Sequence, residues 1–153
     1  MSRRLPALAA LVLAACARNI PDTDIRDTAD NRAIVAVVDE YRKAFERRDS
    51  AAVLALVSRA YLDDFRSSDP ADTVDYEQLQ KALPDAFQRL AGLKLEIGVR
   101  KIETRGDVAR VELFYDTRYR ITTPRGEVAK RDSDVNRMTL RREGNAWRIA
   151  SGL

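Results

Sequence analysis

The residues best suited to acid–base or hydrogen-bonding chemistry fall in two alternating runs in the second half of the chain. Tyr115 and Tyr119 lie in one run, and Asp132, Asp134 and Asn136 lie in the next. If both runs are strands, a period of two places each set on one face, where the two sets can converge. A carboxylate facing an apolar cavity has its charged form disfavoured, and a tyrosine hydroxyl can polarise a carbonyl or phenol-like ligand. These five residues are candidate pocket residues.

The alternative interpretation gives these side chains no chemical role. Asp132 and Asp134 would then be solvated near a splayed strand end, and the two tyrosines would belong to the core with their hydroxyls in water. We favour this interpretation, and with it binding or assembly over catalysis. No catalytic residue is assigned from the sequence.

Composition excludes several kinds of catalytic and metal site. The chain has no histidine, so acid–base work near neutral pH would need a carboxylate with a raised pKa. The serines have no histidine partner for a hydrolase triad. No cysteine–histidine set for zinc is present, and the acids of one loop match no calcium-loop spacing: Asp63, Asp64, Asp69, Asp72 and Asp75. We predict no metal and no cofactor, and we assign these acids to helix capping and solubility.

The first sixteen residues have the order of a bacterial lipoprotein signal. Arg3 and Arg4 precede an apolar run over residues 5–13, which is too short to cross a bilayer as a retained helix. Leu13-Ala14-Ala15-Cys16 resembles a lipobox, and the resemblance implies a signal peptide over residues 1–15, cleaved before a lipidated Cys16. The alternative is an ordinary secretory signal with a chance cysteine.

Lipidation at Cys16 would hold the protein to a membrane of the cell envelope, because two or three acyl chains give stable attachment. Ala17 is not the aspartate that often marks inner-membrane retention, so the outer membrane is favoured over the inner membrane. Residues 16–27 are mostly polar and contain Pro21. They are predicted to form a lipid-anchored tether.

The net charge gives no case for nucleic-acid binding. The chain carries 27 basic and 24 acidic residues, a formal charge of +3. Residues 1–15 contain two arginines and no acid, so the remainder carries 25 basic and 24 acidic residues. Basic residues are also interspersed with acids rather than clustered in a patch.

Three helices are predicted ahead of the strands. In the first, apolar residues recur at helical spacing from Ile34 to Phe45, and Thr28 or Asp30 can cap its start. Tyr41 lies on its apolar face, as a core residue or a pocket residue. Ser50 is predicted to cap a short second helix.

The third helix is predicted from about residue 74 to residue 90. Pro84 lies inside it and lacks a backbone donor, so we expect a kink or a break near Leu83.

A meander of four strands is predicted after Gly92. The strand at its centre, over residues 107–122, alternates apolar and polar side chains. In the strand before it, the apolar phase slips at Ile102, which predicts a bulge near Arg100 and Lys101.

Phe114 falls on the outer, polar face of the central strand among arginines. An exposed aromatic ring rimmed by charge is a common protein contact, so Phe114 is a candidate interface residue. The alternative is that a neighbouring element covers it or that a bulge changes its face.

The helices, the acidic loop and the meander together resemble the nuclear transport factor 2-like (SnoaL-like) superfamily. The local matches are Val38-Asp39-Glu40-Tyr41-Arg42-Lys43-Ala44-Phe45, Arg48-Asp49-Ser50-Ala51-Ala52-Val53-Leu54-Ala55-Leu56 and the final Trp147-Arg148-Ile149. The resemblance covers residues 28–153. It implies an α+β fold in which a curved antiparallel meander of about four strands wraps the N-terminal helices into a cone. Members include dehydratases, isomerases, epoxide hydrolases and non-catalytic domains.

Three functions are compatible with this sequence. The favoured one is a membrane-anchored envelope lipoprotein whose domain binds a small apolar molecule or another envelope protein without catalysis. The second is a small cofactor-free isomerase or epoxide-hydrolase-like enzyme that uses Asp and Tyr in the cone. The third is an assembly module that forms a homodimer through the outer face of the sheet.

Overall fold

The chain folds as an α+β domain with an open, curved antiparallel sheet, as the sequence predicts. The computed structural model describes residues 18–64, 67, 69 and 72–153. The predicted signal peptide and Cys16 lie outside these residues.

The described residues form three helices and six strands in chain order. The helices are α1 (Ala29–Glu46), α2 (Ser50–Leu56) and α3 (Tyr76–Gln88). The strands are β1 (Leu62–Asp63), β2 (Val74–Asp75), β3 (Leu90–Arg105), β4 (Val108–Thr123), β5 (Gly126–Glu143) and β6 (Ala146–Ser151). The four long strands form one sheet in the order β3-β4-β5-β6, and β1 pairs with β2.

Helix α1 lies against the inner face of the sheet. Thr28 caps it by accepting a hydrogen bond from the amide of Asn31, which confirms one of the two predicted caps. Ile34, Val38 and Tyr41 on one side of the helix are buried. The opposite side carries charged pairs, which leaves a single apolar stripe for the core.

Two helix predictions are corrected by the structure. Asp49, rather than Ser50, caps α2, because its carboxylate accepts the amide of Ala52 at 2.9 Å. Helix α3 begins at Tyr76, where Asp75 and Gln78 form a capping box, and it runs through Pro84 without a break. Phe87 is buried and Leu83 packs against the core on the other side of the proline. We infer that this packing offsets the missing backbone bond.

The sheet carries the predicted bulge. The pairing of β3 with β4 shifts between Val99 and Lys101, which brings Ile102 back into phase with the core. A second irregularity lies between Ala91 and Lys94. Strand β3 begins at Leu90, ahead of the start predicted after Gly92. Extra residues on one strand bend a sheet and increase its twist.

Residues 18–27 form a small turn, called here the N-terminal turn. The amide of Asp27 donates to the carbonyl of Arg18 at 2.7 Å, and Ile25 is buried. The Nδ2 group of Asn31, in the first turn of α1, donates to the carbonyl of Arg26 at 2.8 Å. The described part of the predicted tether is therefore joined to the start of α1.

None of the helices in the described residues is long and apolar enough to cross a membrane.

Candidate functional site

A cavity of about 800 Å³ lies between the second half of α1 and the inner face of the sheet. Its apolar part is formed by side chains from α1, β3, β4 and β5: Tyr41, Phe45, Leu95, Ile97, Leu113 and Met138. The tilted rings of Tyr41 and Phe45 lie 5.6 Å apart, and Phe87 backs Phe45 at 5.1 Å. The aromatic wall is thus supported from behind.

The cavity becomes polar where the inner face of the sheet changes composition. Strands β4 and β5 pair without a shift, so Met138 faces Val111, Asn136 faces Leu113 and Asp134 faces Tyr115. One more step along both strands pairs Asp132 with Thr117. Because the β4–β5 register has no shift, the inner face of the sheet has an apolar half around Met138 and a polar half from Asn136 to Asp132.

The structure places the six candidate pocket residues unequally. Tyr41, Tyr115, Asp134 and Asn136 line the cavity. Asp132 is exposed and accepts a hydrogen bond from the hydroxyl of Tyr115 at 3.1 Å. The cavity lining within the described part of the chain does not include Tyr119, which lies farther along β4, opposite Lys130.

Asp63 is a site residue that sequence reasoning assigned to a solvated loop. It belongs to β1, lines the cavity and is only 8% exposed. Its Oδ2 atom accepts the hydroxyl of Tyr61 at 3.1 Å and the amide of Gly152 at 2.5 Å. No local sequence pattern identifies a strand here, because the apolar Leu62 is exposed while the acidic Asp63 is buried.

Gly152 is the second residue that the sequence did not reveal. Its backbone has φ near +90°, and a Cβ there would overlap the main chain of Arg137 and Met138. Its amide donates to Asp63, and its carbonyl accepts Nδ2 of Asn136 at 3.1 Å. The C-terminal segment thereby joins β1 to β5 along the cavity wall.

The hydroxyls of Tyr41 and Tyr115 in the cavity wall, and of Tyr61 behind Asp63, stay protonated at neutral pH. Burial raises the pKa of Tyr41, and burial together with the charge of Asp63 raises the pKa of Tyr61. The pKa of Tyr115 is raised by partial burial and then by its hydrogen bond to Asp132. Each hydroxyl can therefore act as a hydrogen-bond donor but not as a base.

The described polar groups of the cavity include no metal-binding cluster and no serine–histidine pair. Within residues 18–64, 67, 69 and 72–153, no group of three or more His, Cys, Asp or Glu residues could hold a metal ion. Ser151 lines the cavity, but the chain has no histidine to activate it. The arrangement can hold an apolar molecule and orient it by hydrogen bonds.

The outer face of the sheet carries a second surface feature. Phe114 is 37% exposed, and it pairs with Gly98 on one side and with Val135 on the other. The guanidinium carbon of Arg100 lies 5.5 Å from the centre of its ring. Gly98, Phe114 and Val135 form an apolar row on the outer face of the sheet.

Asp116 lies beside this row and is covered by arginines. Arg131 donates to its carboxylate through Nε at 3.1 Å, and Arg118 donates at 3.3 Å. The hydrogen bond from Arg131 is the largest cause of the lowered pKa of Asp116. The side chains of Arg131 and Arg118, and not residues of the core, cover the carboxylate of Asp116.

Residues 34–152 match the sequence model of the SnoaL-like domain. No curated protein shows significant sequence similarity to the chain.

Solved structures with the same fold cover most of this chain. A ketosteroid isomerase-like protein from Erwinia carotovora atroseptica is 19% identical, with a TM-score of 0.67 over 82% of this chain and 95% of that one. A proposed scytalone dehydratase from Novosphingobium aromaticivorans is 15% identical, with a TM-score of 0.65 over 80% of each chain. A proposed dehydratase of the nuclear transport factor 2-like family from Streptomyces avermitilis is 15% identical, with a TM-score of 0.63 over 80% of this chain and 93% of that one. At these identities the likeness establishes the fold alone.

Proposed function

Because the chain belongs to the SnoaL-like domain family, we propose that its cone binds a small, largely apolar molecule and does so without catalysis. The observation that carries this proposal is the cavity itself. It joins an aromatic and aliphatic wall to a polar and charged side that includes Asp63, Asp134 and Arg137. One part can therefore bury the apolar portion of a small molecule while the other fixes its orientation by hydrogen bonds.

The hydrogen bonds around the cavity favour binding over chemistry. Asp63 has two donors on a single oxygen, and Asn136 is held by the backbone of Gly152. Asp134 is exposed, and its Oδ1 atom accepts the amide of Val135 at 2.7 Å. Groups that are held in this way can fix a ligand's orientation.

The test is binding of the neutral fluorescent probe N-phenyl-1-naphthylamine. Ile97 is half-buried and lines the cavity, so Ile97→Trp should place an indole ring against the aromatic wall and weaken probe binding at least tenfold. Val128→Trp adds the same ring at an exposed site outside the cavity lining and should leave binding unchanged. Equal affinities in the two variants would contradict the proposal.

A second candidate is a cofactor-free isomerase or epoxide-hydrolase-like enzyme. The observation in its favour is the buried carboxylate of Asp63 in the cavity wall, beside Tyr61. Proton abstraction needs a carboxylate within reach of a bound ligand. Turnover of styrene oxide or of a β,γ-unsaturated ketone that is lost in Asp63→Asn but kept in the surface variant Asp85→Asn would establish this candidate instead.

We further propose that lipid on Cys16 anchors the domain in the cell envelope, at the outer membrane rather than the inner one. The support is the order of charge, apolar run, small residues and cysteine in residues 1–16. The absence of aspartate after the cysteine favours the outer membrane.

The outer face of the sheet is the surface that we propose for contact with a second copy or another envelope protein. The row of Gly98, Phe114 and Val135 supports this because it places an exposed ring beside a residue without a side chain. The space above Gly98 is open, since a Cβ there would meet nothing within 4 Å.

A further inference from the structure

The N-terminal turn fixes which end of the domain lies next to the anchored residue. Only Ala17 separates Cys16 from Arg18, where the turn begins. Two residues of fully extended chain span at most about 7 Å. The hydrogen bond from Asn31 to the carbonyl of Arg26 joins the turn to the first turn of α1. An anchor at Cys16 therefore has little chain with which to move independently of the domain.

Two strand connections lie at the same end as the N-terminal turn. The amide of Arg142 donates to the carbonyl of Asp107, in the connection between β3 and β4. The guanidinium of Arg142 also pairs with Asp30 in the first turn of α1, at 2.7 Å. The connection between β5 and β6, at Gly144 and Asn145, directly follows this point. These contacts define an anchor-proximal end of the domain.

The anchor-proximal end is polar at its surface. Its residues in the N-terminal turn and in the two strand connections are mostly exposed and hydrophilic: Arg18, Asn19, Asp22, Asp24, Arg105, Asp107, Glu143 and Asn145. Val108, beside Asp107, is the one exposed large apolar residue among the described residues of this end. A surface that is otherwise hydrophilic suits contact with lipid headgroups rather than insertion into the hydrocarbon.

The cavity lies toward the opposite end of the domain. Tyr41 is twelve residues beyond the start of α1, which corresponds to about 18 Å along the helix axis. On β5, Asp134 is seven residues from Arg141, or about 23 Å along the strand. The polar half of the inner face, from Asn136 to Asp132, therefore lies on the side away from the anchor.

We propose that the anchor-proximal end rests on the headgroup surface of the membrane and that the cone opens to the aqueous phase. The cavity then takes its ligand from water and not by lateral transfer from the bilayer. This inference rests on the proposed anchoring at Cys16, and it narrows the ligand to a molecule with appreciable solubility in water.

The test uses thiol labels at the two ends of β5. The chain has one cysteine, and its sulfur is blocked once it carries lipid, so an introduced cysteine is the single reactive thiol. Asn145→Cys lies in the connection at the anchor-proximal end, and Arg125→Cys lies in the connection at the far end of the same strand. Both positions are exposed.

Each lipidated variant is labelled with bimane maleimide and reconstituted into phosphatidylcholine vesicles that contain a nitroxide-headgroup lipid. Quenching at residue 145 should exceed quenching at residue 125 at least threefold. A flexible twelve-residue Gly-Ser insertion between Ala17 and Arg18 should abolish this difference while leaving the protein on the vesicles.

Equal quenching at the two positions, or stronger quenching at residue 125, would overturn the orientation while leaving the anchor intact. Mass spectrometry of the purified protein separates the two possible failures. If it shows no lipid on Cys16, the proposed anchoring falls, and the orientation falls with it.

Discussion

Gly152 holds the cavity wall together through its backbone. Its amide and carbonyl bind Asp63 and Asn136 respectively, and its positive φ and close neighbours leave no room for a side chain. A single glycine near the C-terminus thus connects two otherwise separate strands.

Gly152→Ala should lower the free energy of unfolding by about 2–3 kcal/mol, because overpacking and an unfavourable φ add together. Urea denaturation measures this change. Gly98→Ala is the matched control, since its Cβ enters open space, and it should change stability by less than about 1 kcal/mol. Equal stabilities for the two variants would show that the contacts of Gly152 do not constrain the wall.

The ion pair of Asp116 should make stability depend on pH in the acid range. Its pKa is lower in the folded protein than the ordinary value of 3.8, chiefly because Arg131 donates to it. The folded state therefore binds the proton less readily than the unfolded state, so this stabilisation is complete above about pH 4 and is lost as pH falls through the lower folded value.

Arg131→Gln should reduce the melting temperature at pH 6 and leave it nearly unchanged at the lowest pH at which the protein still folds. Arg125→Gln, which removes an exposed charge from a turn, should have little effect at either pH. If Arg131→Gln lowers the melting temperature by the same amount at acidic pH as at pH 6, loss of the ion pair with Asp116 is not the cause.

At the residue scale, strand alternation is the only feature of the candidate site that sequence reasoning could use. Tyr115, Asp134 and Asn136 could be placed together because the β4–β5 register has no shift. Asp63 and Gly152 could not be placed, because their roles depend on a contact between residues that are 89 positions apart. No local pattern encodes such a pairing.

At the scale of elements, periodicity located α1, the four long strands and the bulge after Val99. The error at α3 came from reading Pro84 as a local breaker, whereas the packing of Leu83 and Phe87 keeps the helix continuous. The short β1–β2 pair was missed because two-residue strands have too few positions to show a period.

The outer face of the sheet carries the prediction that belongs to this scale. If the row around Phe114 contacts a second copy, the protein should have the mass of a dimer by light scattering at micromolar concentration, and Phe114→Glu should give a monomer. Leu62→Glu is the control, because Leu62 is more exposed than Phe114 but lies on β1, outside the four-stranded sheet. A monomeric unaltered protein would exclude the homodimer under these conditions.

At the scale of the whole molecule, the proposed lipid anchor at Cys16 determines where the domain is held. If Cys16 carries the lipid, Cys16→Ser should move the protein from the membrane fraction to the soluble fraction. Ala17→Ser changes the next residue in a similar way and should leave the protein in the membrane fraction. Unchanged fractionation of Cys16→Ser would rule out the anchor, and recovery with inner membranes on a sucrose gradient would contradict the favoured location.

The central claim is that the cone is a binding site, and its most direct test is to locate a bound molecule by methyl NMR. Titration with N-phenyl-1-naphthylamine should shift the methyl signals of Leu95, Leu113 and Met138, which line the cavity, with one saturable affinity. The methyl signals of the exposed Val128 should stay in place. Shifts confined to the outer face of the sheet, or no shifts at the limit of probe solubility, would contradict the claim.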